Sequence, residues 1–154
     1  MKRTAMELAA IATAAVPGLT PVGFAALSDD AEDFDSALVV DALKHRWRVR
    51  SPRHDEASMR LEAELSALRA FSAKVRASLP FSLPAVAGTV RQGPLRTFVY
   101  KDMPGHVPSL DELVDVGSNL AKSLGNCMAA IHQIPDEAVE VAGLPTYTAD
   151  EIRQ

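Results

Sequence analysis

The spacing of apolar residues along this chain changes several times, and each change marks an element. Leu8-Ala9-Ala10-Ile11-Ala12-Thr13-Ala14-Ala15-Val16 is an Ala-rich run that predicts a helix, ended by Pro17-Gly18. Behind Met1-Lys2-Arg3 the same run has a faint signal-peptide look, but Glu7 sits where the apolar region should begin, which favours the helix. Residues 24–27 and 36–42 read as strands on either side of the acidic turn 28–33. Arg46-Trp47-Arg48-Val49-Arg50 alternates cleanly, with Trp47 and Val49 on one face and three arginines on the other. Ser51-Pro52 should end that strand.

Period then shifts from two to about 3.6. Asp55 is the expected cap of a helix running to about Ala77, with Leu61, Leu65, Leu68, Ser72 and Val75 on its apolar face. Glu64 falls on the packing side of this helix and Glu62 faces away. A carboxylate there is costly unless a cation meets it. After the stiff connector Leu79-Pro80-Phe81-Ser82-Leu83-Pro84, residues 86–90 and 95–100 read as strands around the turn 91–94. Ser109-Leu110-Asp111-Glu112 is a capping box. It opens one long helix whose apolar face includes Leu110, Leu113, Leu120, Leu124, Met128 and Ile131 and which ends near Gln133. Thr148 and Glu151 form a second capping box, which suggests a helix continuing past Gln154. Five strands with a single helix between the third and fourth define an α+β chain rather than a regular βαβ array.

Composition narrows the function classes. The chain has 154 residues, with 16 Lys+Arg against 20 Asp+Glu and a net charge of −4. A sequence pI near 5.5 argues against a nucleic-acid partner. Apolar residues at 47% and charged residues at 23% exclude a disordered or fibrous chain. No stretch reaches a membrane span, so no membrane partner is expected. The lone Cys127 allows neither an internal disulfide nor a Cys-rich metal site; it reads as a small buried hydrophobe in a cytoplasmic protein.

The pattern of strand and helix brings one pair of charges together. Arg50 ends the third strand, and Glu64 lies on the packing face of the helix that follows. A cation on a sheet and a carboxylate on its helix can form a partly buried ion pair, which is either an ordinary salt bridge or the phosphate-holding pair of kinases. Other candidates read as structural. His54-Asp55-Glu56 is adjacent in sequence and does not converge as a metal site. Lys44-His45-Arg46 is a solvated hairpin turn. His132 is a packed histidine at a helix edge.

The ordered set of segments 46–53, 64–68 and 79–84 resembles the N-terminal lobe of aminoglycoside/macrolide phosphotransferases, and most closely the macrolide branch. There the strand reads Trp-Val-Leu-Arg-Ile-Pro-Arg and the connector Leu-Pro-Phe-Ala-Val-Pro. The segment Asp33-Phe34-Asp35-Ser36 sits where that branch has Gly-Leu-Asp-Tyr/Phe. Ala129-Ala130-Ile131-His132-Gln133-Ile134-Pro135 resembles the family's Leu-Ala-Ala-Leu-His-Ala-Val-Pro helix. The resemblance implies a kinase-like N-lobe over 1–100, with a roughly five-stranded antiparallel sheet and one packed helix. It further implies a hinge over 101–108 and the start of a helical C-lobe over 109–154. It assigns Arg50 to nucleotide phosphates and Glu64 as its helix partner. Lys101 and Met103 would hold the purine edge through their backbone, and Tyr100 would be the gatekeeper. The implied activity moves the γ-phosphate of ATP or GTP, with Mg2+, to a hydroxyl of an antibiotic or metabolite.

Three departures qualify that carry-over. The chain has no Gly-x-Gly-x-x-Gly loop, so the acidic 33–36 turn would face phosphate. Arg48 replaces a small apolar residue where the purine stacks, either filling the pocket or making a cation–π contact. No His is followed by Asp at the second position, so no catalytic residue and no metal ligand is expected in these residues, and the chain alone should be inactive. The alternative is a non-catalytic α+β interaction module that keeps the kinase-like fold. The apolar face over 110–131 is a candidate for self-association.

Overall fold

The computed structural model describes residues 2–28, 32–105, 108–115, 119–141 and 143. The expected tail helix at Thr148 lies outside them. Two compact units divide the chain: residues 1–65 with 84–105, and residues 66–83 with 106–154.

The first unit is built on a five-stranded antiparallel sheet. Its strands are β1 (Pro21–Leu27), β2 (Phe34–Asp41), β3 (Arg46–Pro52), β4 (Val86–Gln92) and β5 (Leu95–Lys101), in the order β1-β2-β3-β5-β4. Every expected strand is present. β3 runs two residues further than expected, because Pro52 needs no donor at the end of the ladder, where it faces Phe34. Gly93, at φ 62°, makes the tight β4–β5 turn that a side chain would resist.

Helix α1 (Ala5–Ala15) is the expected N-terminal helix, opened by a Thr4/Glu7 capping box. It lies on one sheet face, where Leu8, Ala9, Ile11 and Ala12 pack with Ala37, Val39, Val49 and Val99. The Ala-rich sequence permits a very close approach: a Cβ at Gly88 of β4 would run into the carbonyl of Ala15. Arg3 pins the start of the helix, its backbone N–H donating to Asp35 at 2.7 Å.

Helix α2 (Asp55–Ala70) follows β3 and buries Ala57, Leu61 and Leu65. It is capped by His54 rather than by Asp55, since His54 Nδ1 accepts from the Ala57 amide at 3.2 Å. It also stops short of the expected Ala77. Ser72, expected on the apolar face, instead caps a separate helix α3 (Ala73–Ser78), accepting from the Val75 amide at 3.2 Å. The Arg76 guanidinium takes the carbonyls of Leu68 and Phe71 that the broken helix leaves without partners.

The second unit carries α4 (Leu110–Val114), α5 (Leu120–His132) and α6 (Asp136–Val141). The expected Ser109/Glu112 capping box is present. The single long helix is not: α4 ends at Asp115 in extended conformation. Asp115 is a weak helix former, and residues 116–118 lie outside the described residues. Leu124, Met128 and Ile131 form an exposed stripe on α5. Cys127 is half-buried rather than buried, and His132 is exposed rather than packed.

Candidate nucleotide site

β3 sends alternate side chains to opposite faces of the sheet. Val49 enters the α1 core, fully buried, while Arg48 and Arg50 lie on the α2 face. In register, Arg50 sits between Ser36 of β2 and Phe98 of β5, and Arg48 between Leu38 and Tyr100.

Arg50 and Glu64 meet as expected, with Arg50 Nη1 donating to Glu64 Oε2 at 3.2 Å. Their side chains are 20% and 40% exposed, so the pair is half-buried and open to a ligand. The Arg50 guanidinium also lies 4.3 Å from the centroid of the Phe34 ring, a cation–π contact that fixes its plane. Tyr100, which is buried, donates to the other carboxylate oxygen, Glu64 Oε1, at 3.4 Å and stacks on Phe98. Burial pushes the phenol well above its ordinary pKa, and the neighbouring Glu64 carboxylate adds to the rise, so the Tyr100 hydroxyl keeps the proton it donates to Glu64.

The other expected residues are placed differently. Arg48 turns toward Asp102, whose side chain is 3% exposed and faces Arg48 Nε at 3.5 Å and Arg46 Nε at 3.1 Å. The longer contact lacks hydrogen-bond alignment, so Asp102 Oδ1 accepts no hydrogen bond. Lys101 ends β5 with its side chain exposed and its amide donating to Ala85 at 3.2 Å. Met103 lies just beyond the strand, with its side chain 44% exposed.

The acidic segment 33–36 is not the expected turn, since Phe34, Asp35 and Ser36 open β2, and its carboxylates are met by cations from outside it. Asp35 is buried and held by Arg53 at 2.7 Å. Asp33 accepts from Arg60 Nη2 at 2.5 Å and pairs with His54 Nε2 at 3.0 Å. The Arg60 hydrogen bond first, and the His54 bond second, hold the Asp33 carboxyl below its usual range. Arg60 is not among the sequence candidates, and His54 enters there only as a metal ligand and reads as structural. The spacing that could have flagged Arg60 is its position four residues before Glu64, on the same face of α2.

Asp33, Phe34, Arg50, Arg60, Leu61 and Glu64 line one cleft of about 210 Å³. A larger open cleft of about 530 Å³, between α1 and β4, holds none of the expected nucleotide residues. Among the described residues, no group of His, Cys, Asp or Glu is arranged to hold a metal ion, and no helix is long and apolar enough to cross a membrane.

A model of the phosphotransferase enzyme family matches residues 24–154. Among curated proteins, no sequence matches the chain. Solved structures do. A macrolide 2'-phosphotransferase type I superimposes with a TM-score of 0.63 at 24% identity, over 99% of this chain and 52% of that one. The apoenzyme of a macrolide 2'-phosphotransferase from Brachybacterium faecium gives 0.69 at 22% identity, over 97% of this chain and 50% of that one. An aminoglycoside 2'-phosphotransferase-IIIa variant in complex with GDP gives 0.73 at 14% identity, over 96% and 47%. These likenesses establish a kinase-like phosphotransferase fold, and the chain spans about half the length of the structures it matches.

Proposed function

This chain belongs to the phosphotransferase enzyme family, and from that premise we propose that it is the nucleotide-binding part of a small-molecule kinase. The observation that carries this reading is the Arg50–Glu64 pair, half-buried at 3.2 Å on the sheet face opposite α1. An ordinary surface salt bridge needs neither the Phe34 ring beneath the arginine nor the Tyr100 hydroxyl on the carboxylate. The ring limits where the guanidinium can lie, and the hydroxyl holds the carboxylate that pairs with it. A guanidinium so fixed can meet phosphate oxygens bidentately.

We assign residues 1–100 to the lobe that binds nucleotide, 101–108 to the hinge and 109–154 to the beginning of a helical lobe. A bound nucleoside triphosphate, ATP or GTP, would supply the phosphoryl group that passes to a hydroxyl oxygen of the acceptor. The residues of this chain bind and orient it. Arg50 neutralises charge on the phosphates, Glu64 holds Arg50, and the backbone at Lys101 and Met103 meets the purine edge. No residue of this chain is assigned to Mg2+ or to the general base, since no His is followed by Asp at the second position. The acceptor class is an antibiotic or metabolite alcohol and the compartment is the cytoplasm. This chain is expected to bind nucleotide weakly and to transfer no phosphate, because its sequence holds no His-x-Asp catalytic loop.

A second reading rests on Arg48. Asp102 holds Arg48 on the face where a purine would stack, and a filled pocket would leave a non-catalytic interaction module. Calorimetric titration with ATP and GTP separates the two. The kinase reading expects saturable binding that Arg50→Met weakens without lowering the melting temperature by more than a degree or two. No binding in the wild-type chain, with binding gained in Arg48→Ala, would favour the module.

A further inference from the structure

Two arginines, not one, line the cleft at the Arg50–Glu64 pair. Arg60 rises from α2 one turn before Glu64 and shares the 210 Å³ cleft with Arg50. Its side chain is 55% exposed. Of its five N–H donors, only Nη2 is engaged among the described residues, by Asp33.

We propose that Arg60 is a second phosphate-contacting residue of this site, held ready by Asp33. The inference rests on the nucleotide reading above and adds a residue to it. Among the described residues, the charges lining the cleft balance: Arg50 and Arg60 against Asp33 and Glu64. A polyphosphate meets Arg50 while Glu64 still holds it, and tips the balance further where a second cation can leave its carboxylate at low cost. Arg50 cannot do so readily, because Phe34 and Glu64 fix it. Arg60 can. Asp33 keeps a second partner, His54 Nε2 at 3.0 Å, when the guanidinium swings to phosphate. His54 is itself tied to the helix start, its Nδ1 accepting from Ala57, so the proton that faces Asp33 is on Nε2. The acidic segment thus presents a cation to the phosphates instead of repelling them.

The test is calorimetric titration of the 154-residue chain with GTP, ATP, inorganic tripolyphosphate and guanosine, each at fixed ionic strength. Arg60→Met should weaken triphosphate and tripolyphosphate binding by about tenfold, the range of a lost charge-assisted hydrogen bond at a half-exposed site. It should leave guanosine binding unchanged, and Arg60→Lys should recover part of the loss. Asp33→Asn releases Arg60 and removes a negative charge, so tripolyphosphate should bind more tightly. It serves as the deciding variant if Arg60→Met does not fold. A purely structural Asp33–Arg60 contact predicts the opposite pattern: a lower melting temperature in Asp33→Asn with tripolyphosphate affinity unchanged, and that result overturns the proposal. Unaltered triphosphate affinity in Arg60→Met, alongside a loss in Arg50→Met, overturns the role of Arg60 and leaves the nucleotide reading intact. Failure of the wild-type chain to bind any phosphate probe overturns both.

Discussion

The two faces of the sheet solve different problems with the same strands. On the α1 face, Val39, Val49 and Val99 are fully buried against Leu8 and Ala12. On the α2 face, one residue along in the same register, stand Arg50 and Tyr100, with Glu64 above them. The centre of the first face is closed to water. The second keeps a cation and a carboxylate partly wet, at 20% and 40% exposure. A site that must bind phosphate needs charges that stay charged, and full burial would neutralise them. The stability of this unit should therefore reside on the α1 face and its ligand response on the α2 face, with little overlap between them.

The largest effect should come from the α1 face. Leu8→Ala removes a side chain that is 1% exposed, and should cost about 3 kcal/mol in chemical denaturation, since the sheet beneath cannot close the cavity. Gly88→Ala should follow at about 2 kcal/mol, because its Cβ meets the Ala15 backbone rather than a flexible side chain. Neither should change nucleotide binding under conditions where the protein remains folded. If Gly88→Ala weakens binding as much as it weakens folding, the two faces are coupled and the division fails.

Much of this division was legible in the sequence, for a physical reason. Strand alternation has a fixed period of two, so Trp47 and Val49 on one face and Arg48 and Arg50 on the other followed directly from β3. Glu64 followed from helical period in the same way. What period cannot read is where a helix stops and which long side chain pairs with which. Ser72 occupies an apolar-face position by spacing, yet its hydroxyl is worth more as a cap. Arg48 shares a face with Arg50 but pairs with Asp102, a contact set by the chain's path after β5. Arg60 and Asp33 lie 27 residues apart and meet only through the fold.

A smaller effect is expected from the pair itself. Glu64→Gln keeps the shape and the hydrogen bond to Tyr100 but removes the charge that holds Arg50. Half-exposed ion pairs contribute little, so the stability loss should be under about 1 kcal/mol. The binding response should be larger than the stability response, the reverse of Leu8→Ala. A loss of several kcal/mol in urea denaturation, with nucleotide affinity preserved, would make the pair a structural bridge and move it to the stability side.

The smallest difference should appear in acid, and it separates two carboxylates held down by unlike means. Burial alone would raise the Asp41 carboxyl. Hydrogen bonds from the Trp47 indole, the His45 amide and the His45 ring outweigh it and leave the pKa below its usual value. Asp33 is lowered by the Arg60 and His54 contacts at a more exposed position. Both folded-state values lie below the unfolded Asp value of about 3.9. Each group therefore contributes stability that is fully present above about pH 4 and is lost as pH falls through the lowered folded value. Salt distinguishes them. At 1 M the screening length is about 3 Å; mobile ions reach the Asp33–Arg60 pair, where the Asp33 side chain is 32% exposed, and are kept from the Asp41 carboxylate, which is 5% exposed. Asp33→Asn should remove a salt-sensitive part of the acid limb, measured as melting temperature from pH 2 to 5 in low and high salt. Asp41→Asn should remove a salt-insensitive part. Equal salt sensitivity in the two variants would mean that the Asp41 cluster admits water and ions as freely as the α2 cleft, and the contrast between the faces would then end at the hairpin.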